Sequence, residues 1–415
     1  MVIDRLLITT PKNNIKSAYI WNSLSGIITA CESVIITIFL ARLYSLDNSG
    51  IVSISYAIGN LLATVGKFGI RTFHSTDLET KFNFSSYFCA RIISLFVMLC
   101  LFIAYILVKH YSLYKTIVIS LIFYKFIFDV IEDVIGGELQ RKNRLDIAAK
   151  MVFFRILLFI IITVSLIMLK INLIKILLVS LLIITVLDVY QIALIKTTFK
   201  IDFFTPKAFP FVLLRNSFPY CINAFSFFYI TNMSKYVIDT YFNDYLQAIF
   251  AFIFYPVFVI ELLNNFIYQP TLVNLTKLWL EQQRKKFESK LIRQYLIIFI
   301  VTLIILIIAF FLGIKVLSVL FSTDLSLYKK EFMVLLMCGG FLATIGYSST
   351  VLTVMRQSRI VLILSIMFSV VSSFIYQFVV KWNLLGVSLT FLVITIIYSF
   401  LCGLEILLKI RRGSL

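Results

Sequence analysis

Apolar residues recur along this chain in blocks long enough to cross hydrocarbon. Gln294–Ile314, Phe332–Met355, Ile360–Val380 and Trp382–Leu404 each run without a single charge, and about 20 such residues in a helix cover roughly 30 Å of bilayer core. Extended to the weaker blocks, the pattern predicts about twelve spans, near 17–41, 50–70, 86–108, 116–137, 151–169, 173–195, 216–239, 245–270, 294–314, 331–355, 360–380 and 384–408. The fifth and sixth are separated only by Lys170 to Lys175. Apart from the basic loop after the eighth, no connection exceeds about 20 residues, so no extramembrane catalytic domain is expected. The fold class predicted is an all-α integral membrane protein.

Composition supports this pattern: 61% of the 415 residues are apolar and the mean hydropathy is +1.00. The first 16 residues are polar and basic, with Arg5, Lys12 and Lys16, and lack the apolar run and small-residue site of a cleavable signal peptide. A net charge of +18 would suggest nucleic acid in a soluble chain. Here the charges sit in loops and sit unevenly. With the N-terminus inside, 24 Lys and Arg fall on the cytoplasmic side, 9 on the outer side and five within spans. That bias predicts both termini in the cytoplasm. The densest group, Arg284, Lys285, Lys286, Lys290 and Arg293, falls inside and suits topology and anionic-lipid contact. The six Cys lie within spans without metal-ligand spacing, and His74 and His110 are too few and too far apart for a metal site.

Two halves are expected, 1–200 and 201–415, joined by the loop 196–215 with Pro206 and Pro210. At an offset of 201, Tyr19, Asn22, Ser25 and Tyr44 meet Tyr220, Asn223, Ser226 and Tyr245, and Phe84/Ser86 answers Phe287/Ser289 before the third span of each half. Six spans per half make both run the same way, a parallel repeat with a cavity between its halves. Pro219, Pro256 and Pro270 punctuate the second half; a kink at Pro256 serves gating or is simply filled by packing.

Ionisable groups inside spans are the informative residues, because each costs several kcal/mol (roughly 3 on insertion scales) unless it meets a partner or a polar cavity. The fourth span carries Lys125, Asp129, Glu132 and Asp133. Others are Glu32, Lys67, Arg91, Arg155, Asp188, Lys235, Asp239 and Glu261, all in spans one to eight. Pairing would neutralise many of them: Lys125–Asp129 and Lys235–Asp239 at i, i+4, and Arg155 with a carboxylate of the fourth span. As a set they suit a polar lumen. The basic groups fit an anionic head, above all a diphosphate. Uncompensated carboxylates fit proton or sodium coupling. The amides Asn22, Asn223, Asn264, Asn265 and Gln269, with some of the 21 Tyr and 41 Phe, suit sugars.

The chain resembles the bacterial polysaccharide flippases of the O-antigen (Wzx) type, in the multidrug/oligosaccharidyl-lipid/polysaccharide exporter (MOP) superfamily. The resemblance rests on the layout of about twelve spans in two halves. It rests also on the basic lead with Asn22 and Ala41-Arg42-Leu43…Gly50, and on Gly69-Ile70-Arg71-Thr72-Phe73…Asp77…Phe84-Ser85-Ser86-Tyr87…Arg91. It implies two pseudo-symmetric six-helix bundles in a V-shaped exporter fold. The implied substrate is an oligosaccharide repeat unit on undecaprenyl diphosphate, moved from the cytoplasmic to the periplasmic face of the inner membrane by alternating access. Arg91, Lys125, Arg155 and Lys235 would attract the anionic head, with Asn22, Asn223 and Asn264 toward the glycan. Glu32, Asp129 and Asp188 would be ion-coupling candidates, for H+ or Na+. No catalytic residue and no cofactor is implied. Membrane lipids, a polysaccharide polymerase and a chain-length regulator are the partners expected, and nucleic acid is not.

Rival readings are a drug or small-cation exporter of the same superfamily, a lipid II flippase, and a membrane enzyme such as an O-antigen polymerase or polyprenyl-linked glycosyltransferase. The exporter would want a dominant acidic site, against the several basic residues within spans. The enzymes place catalytic residues on sizeable outer loops, whereas the longest outer loop here, about 315–330, holds only Asp324. No Walker-type glycine-rich loop supports direct ATP use.

Overall fold

The computed structural model describes residues 14–76, 82–206, 210–268, 271–379 and 383–412. Most of the basic lead, Asp77, Gln269 and Pro270, and the side chain of Asn265, lie outside the described residues. Every regular element described is helical. In chain order they are α1 (Asn14–Leu43), α2 (Leu46–Lys67), the short α3 (Ile70–Thr76), α4 (Phe84–Lys109), α5 (Leu113–Arg141), α6 (Leu145–Met168) and α7 (Leu173–Phe199). Then come α8 (Pro210–Tyr241), α9 (Asp244–Tyr268), the short α10 (Leu272–Leu280), α11 (Arg284–Ile308), a π turn at Ala309–Gly313, α12 (Ile314–Phe321), α13 (Lys329–Val354), α14 (Ser358–Val379) and α15 (Asn383–Arg412).

Ten of these segments are long and apolar enough to cross a membrane, α11 through α12 counting as one. The two other long helices are α5, with 29 residues, and α8, with 32. They match the fourth and seventh spans read from the sequence, and α5 owes its lower apolarity to the charges already named. The fifth and sixth spans are separate helices, α6 and α7.

Small polar residues set the boundaries. Ser45 caps α2 by accepting the Asn48 amide at 3.2 Å, Asn83 caps α4 through the Ser86 amide at 3.2 Å, and Asn172 caps α7 through the Ile174 amide at 2.9 Å. The end of α2 needs two left-handed residues in succession, Phe68 (φ 50°) and Gly69 (φ 66°). A Cβ at Gly69 would lie 2.6 Å from the Tyr220 Cβ, so glycine serves both the backbone and the close approach of α8.

The chain divides into two compact units, Met1–Phe228 and Tyr229–Leu415, and α8 supplies its first part to one and its last part to the other. In the first unit α2 is buried around almost its whole circumference. It packs on α1, α4 and α5, while α6 packs on α1 and α7. The contact with α5 is tight: a Cβ on Gly59 would fall 2.2 Å from the Phe126 ring. Gly59→Ala is therefore expected to lower stability by about 1–3 kcal/mol, read as an earlier unfolding midpoint in detergent; an unchanged midpoint would show that Phe126 yields freely. In the second unit α13 packs on α9, α11, α14 and α15. Large apolar residues such as Leu107, Phe299 and Phe400 remain exposed, as lipid-facing positions should.

Candidate functional site

Five helices of the first unit converge on a buried network of charge. On α5 the ammonium of Lys125 lies 2.9 Å from Glu32 of α1 and 3.4 Å from Asp129 one turn below it. Tyr56 of α2 donates its hydroxyl to the other oxygen of Glu32 at 2.8 Å. The rings of Phe126 and Tyr56 close over Lys125 at 4.8 and 5.6 Å. Arg155 of α6 forks toward α5: its Nε donates to Glu132 at 2.9 Å, and one terminal nitrogen serves both Glu132, at 2.7 Å, and Asp129. Asp188 of α7 stands 3.6 Å from the same guanidinium. The sequence spacing of Lys125–Asp129 and the pairing of Arg155 with the fourth span are thus both realised.

The balance of this network is unequal. Glu32, Asp129, Glu132 and Asp188 share the two cations Lys125 and Arg155. Among the described residues neither oxygen of Asp188 accepts a hydrogen bond, and the side-chain amide of Gln191 on the same face of α7 neither donates nor accepts one, though both residues are fully buried. Buried polar groups are normally satisfied, so this end of the network is chemically open. A proton or a small cation would balance it. Tyr56 and Gln191 were not singled out by sequence; Gln191 carried a signal, its i, i+3 spacing from Asp188, whereas a tyrosine among 21 carried none.

Arg91 of α4 belongs to a second cluster. It is fully buried and donates to the Gly66 carbonyl at 2.7 Å and to Asp133 at 2.6 Å. Arg71 of α3 reaches the other Asp133 oxygen at 3.6 Å and donates to Gln140 at 3.3 Å. A third cluster gathers at the same end of α5. His74, stacked on Tyr87 at 4.0 Å, lies 3.0 Å from Glu138, which also pairs with Arg141 and Lys142. Burial pushes the His74 imidazole below its ordinary value despite the opposing pull of Glu138.

The second unit holds a different arrangement. Lys235 of α8 is 5% exposed, and its ammonium lies over three rings of α9: Phe254 at 4.9 Å, Phe258 at 5.2 Å and Tyr255 at 5.8 Å. The expected i, i+4 ion pair with Asp239 does not form, and Lys235 has no ion pair among the described residues. Its neighbour Ser234 bonds the Tyr376 hydroxyl at 2.8 Å, fixing this turn of α8 to α14. The box surrounds Pro256, which lies inside α9. One to two turns onward, α9 presents the half-buried Glu261 and then Asn264, whose amide nitrogen donates to the Ile260 carbonyl at 2.8 Å while its side-chain oxygen has no hydrogen-bond partner among the described residues. Asn22 is exposed and Asn223 half-buried. Of the four basic candidates, Arg91, Lys125 and Arg155 are held by carboxylates, and Lys235 is held by rings alone.

No family model matches the chain, and no curated protein matches its sequence. Solved structures do match. The inward-facing conformation of a multidrug resistance MATE family transporter of the MOP superfamily superposes with a TM-score of 0.66 at 14% identity, over 94% of this chain and 98% of that one. An outward-facing conformation gives 0.58 at 16% identity, over 99% and 98%. A MOP superfamily transporter from Pyrococcus furiosus, described as having a binding pocket of reversed polarity that suggests a different function, gives 0.58 at 14%, over 98% of both chains. At these identities the likeness is one of fold. The chain has the fold of the MOP transporters, whose twelve membrane-crossing helices form two bundles, and is a multi-pass membrane protein.

Proposed function

We propose that this chain is a flippase for undecaprenyl-diphosphate-linked oligosaccharide repeat units, carrying them from the cytoplasmic to the periplasmic face of a bacterial inner membrane. Both termini are in the cytoplasm in this reading, as the Lys and Arg bias of the loops favours. The observation that carries it is Lys235: a buried ammonium without a carboxylate, in the membrane-spanning part of the second unit. Such a group attracts an anion and repels a cationic drug. Diphosphate is the anion that an undecaprenyl-diphosphate-linked glycan presents, and within the same unit the amide of Asn264 and the ring-rich α9 suit the sugars attached to it; Asn223, in the first unit, remains a glycan candidate by residue type alone. Arg91, Lys125 and Arg155 are engaged by carboxylates, so Lys235 is the basic candidate on which the head-group role rests.

The excess of carboxylates in the first unit supplies the second half of the reading. Glu32, Asp129 and Asp188 take up a proton or Na+ whose gradient drives the cycle. Translocation makes and breaks no bond, so the chain needs no catalytic residue. The multidrug transporters that share the fold favour a rival, export of small cations. The acid-rich first unit would suit that cargo; Lys235 would not.

Deleting the gene and examining the surface glycan together with the undecaprenyl-linked pool tests the proposal. The expected result is loss of surface repeats with single repeat units stranded on the cytoplasmic face. One repeat unit still reaching the surface, without longer chains, would indicate a polymerase. An unchanged glycan with altered drug sensitivity would transfer the protein to the drug exporters.

A further inference from the structure

The second unit carries a cavity of about 270 Å³ lined by Trp279, Leu280, Gln282, Arg284, Met355 and Arg356. Three segments far apart in sequence build it. The helix α10 ends at its rim, α11 starts from it, and the turn from α13 into α14 closes it. The two turns at the rim are closed by left-handed residues, Gln282 (φ 57°) and Arg356 (φ 61°). Arg284 is held in place twice: its guanidinium sits 5.7 Å from the Trp279 ring and donates to the Ile410 carbonyl of α15 at 2.9 Å. Neither Arg284 nor Arg356 has a carboxylate partner among the described residues. The nearest acid along the chain, Glu281, instead accepts the Gln283 amide at 2.8 Å.

Two further observations place this cavity at the edge of the bilayer. The helix α10 is amphipathic: Leu275 and Leu278 are buried against Phe287 and Leu291, while Asn274 and Lys277 are exposed. An amphipathic helix between two spans, ending in a tryptophan, belongs at the lipid–water interface. The segment that follows, with Lys285 and Lys286 exposed, is the most basic of the chain.

We infer that this cavity is a binding site for the phosphate of an anionic lipid head group. Two unpaired guanidiniums and an amide provide planar, charge-assisted donors for phosphate oxygens. The Trp279 indole and the exposed Leu280 face the first carbons of the lipid. The volume of about 270 Å³ admits a phosphodiester with its glycerol. Its occupant joins the ends of α10, α11 and α13 and, through Arg284, of α15.

The test uses the full chain with Trp21→Phe and Trp382→Phe, leaving Trp279 as the one fluorophore, in nanodiscs of phosphatidylcholine with either phosphatidylglycerol or more phosphatidylcholine brominated near the head group. Brominated phosphatidylglycerol is expected to quench Trp279 at about one-thirtieth of the mole fraction that phosphatidylcholine requires, the scale set by two basic residues at about 1 kcal/mol each at a membrane surface. R284Q/R356Q should abolish that preference, whereas K285Q/K286Q, which removes equal charge outside the cavity, should keep it. Circular dichroism and gel filtration confirm that each variant is folded. If R284Q/R356Q proves misfolded, R356Q alone, at an exposed position, is expected to weaken the preference severalfold. Equal quenching by both lipids, or equal loss in both double variants, would reduce the site to diffuse surface charge and overturn the inference. A response in phosphatidylcholine discs to inorganic pyrophosphate but none to phosphatidylglycerol would make it a site for a soluble anion, and would likewise overturn it.

Discussion

Arg155→Met should destabilise the first unit by about 3–5 kcal/mol, the scale for breaking a buried ion pair by removing one partner. The side chain is 1% exposed and stands within ion-pair distance of Asp129, Glu132 and Asp188. Its loss leaves Glu32, Asp129, Glu132 and Asp188 with Lys125 as the one cation within ion-pair distance in this network. Arg155→Lys should recover only part of the loss, because one ammonium cannot reproduce the fork onto α5. Asp188→Asn makes the opposite case. It relieves the acidic excess, so stability should hold or rise while the dependence of transport on pH or Na+ changes. Thermal unfolding in detergent reads the stability of all three variants. An unshifted midpoint for Arg155→Met would mean that the network is hydrated and that the charge argument fails.

The second large effect is expected at Lys235, and it separates function from stability. Lys235→Met keeps the aliphatic length and removes a buried charge that only ring faces offset, a contribution of about 0.5–2 kcal/mol. The variant should therefore fold as well as the parent or better. On the proposed flippase reading, transport should fall by about tenfold or more, the minimum expected if a charge-assisted contact of about 1.5–3 kcal/mol to the head-group phosphate is lost. Lys235→Arg should retain a measurable share of activity. Surface repeats restored to a deletion strain provide the readout, with membrane levels of the chain as control. Full complementation by Lys235→Met would remove the residue from the head-group role.

The spans were legible because hydrocarbon imposes a length and forbids stray polarity, and both demands are local in sequence. The pairs Lys125–Asp129 and Arg155–Glu132 were legible for a related reason: one lies along a single helix, the other between helices adjacent in the chain. Lys125–Glu32 was not, since no local rule says that α1 and α5 meet. Lys235–Asp239 shows the limit of helical spacing. An i, i+4 offset permits an ion pair, but side chains on a helix lean toward its N-terminus, and the ring faces of α9 receive Lys235 instead. The short helices α3 and α10 were too brief to read as spans, although the leucine spacing at 272, 275 and 278 was available.

The polarity of α5 has a consequence at the ribosome. A helix carrying Lys125, Asp129, Glu132 and Asp133 faces roughly 10 kcal/mol of opposition to entering lipid alone, at about 2.5–3.5 kcal/mol for each central charge. Glu32 is synthesised before α5 and can receive Lys125 as that helix leaves the translocon. Arg155 and Asp188 are synthesised after it. Asp133 can meet Arg91 of the earlier α4, and Asp129 has Lys125 on its own helix, but Glu132 has no cation until Arg155 arrives with α6. The order of the helices along the chain thus sets the order in which the partners of this network become available, with α6 and α7 supplying the last of them.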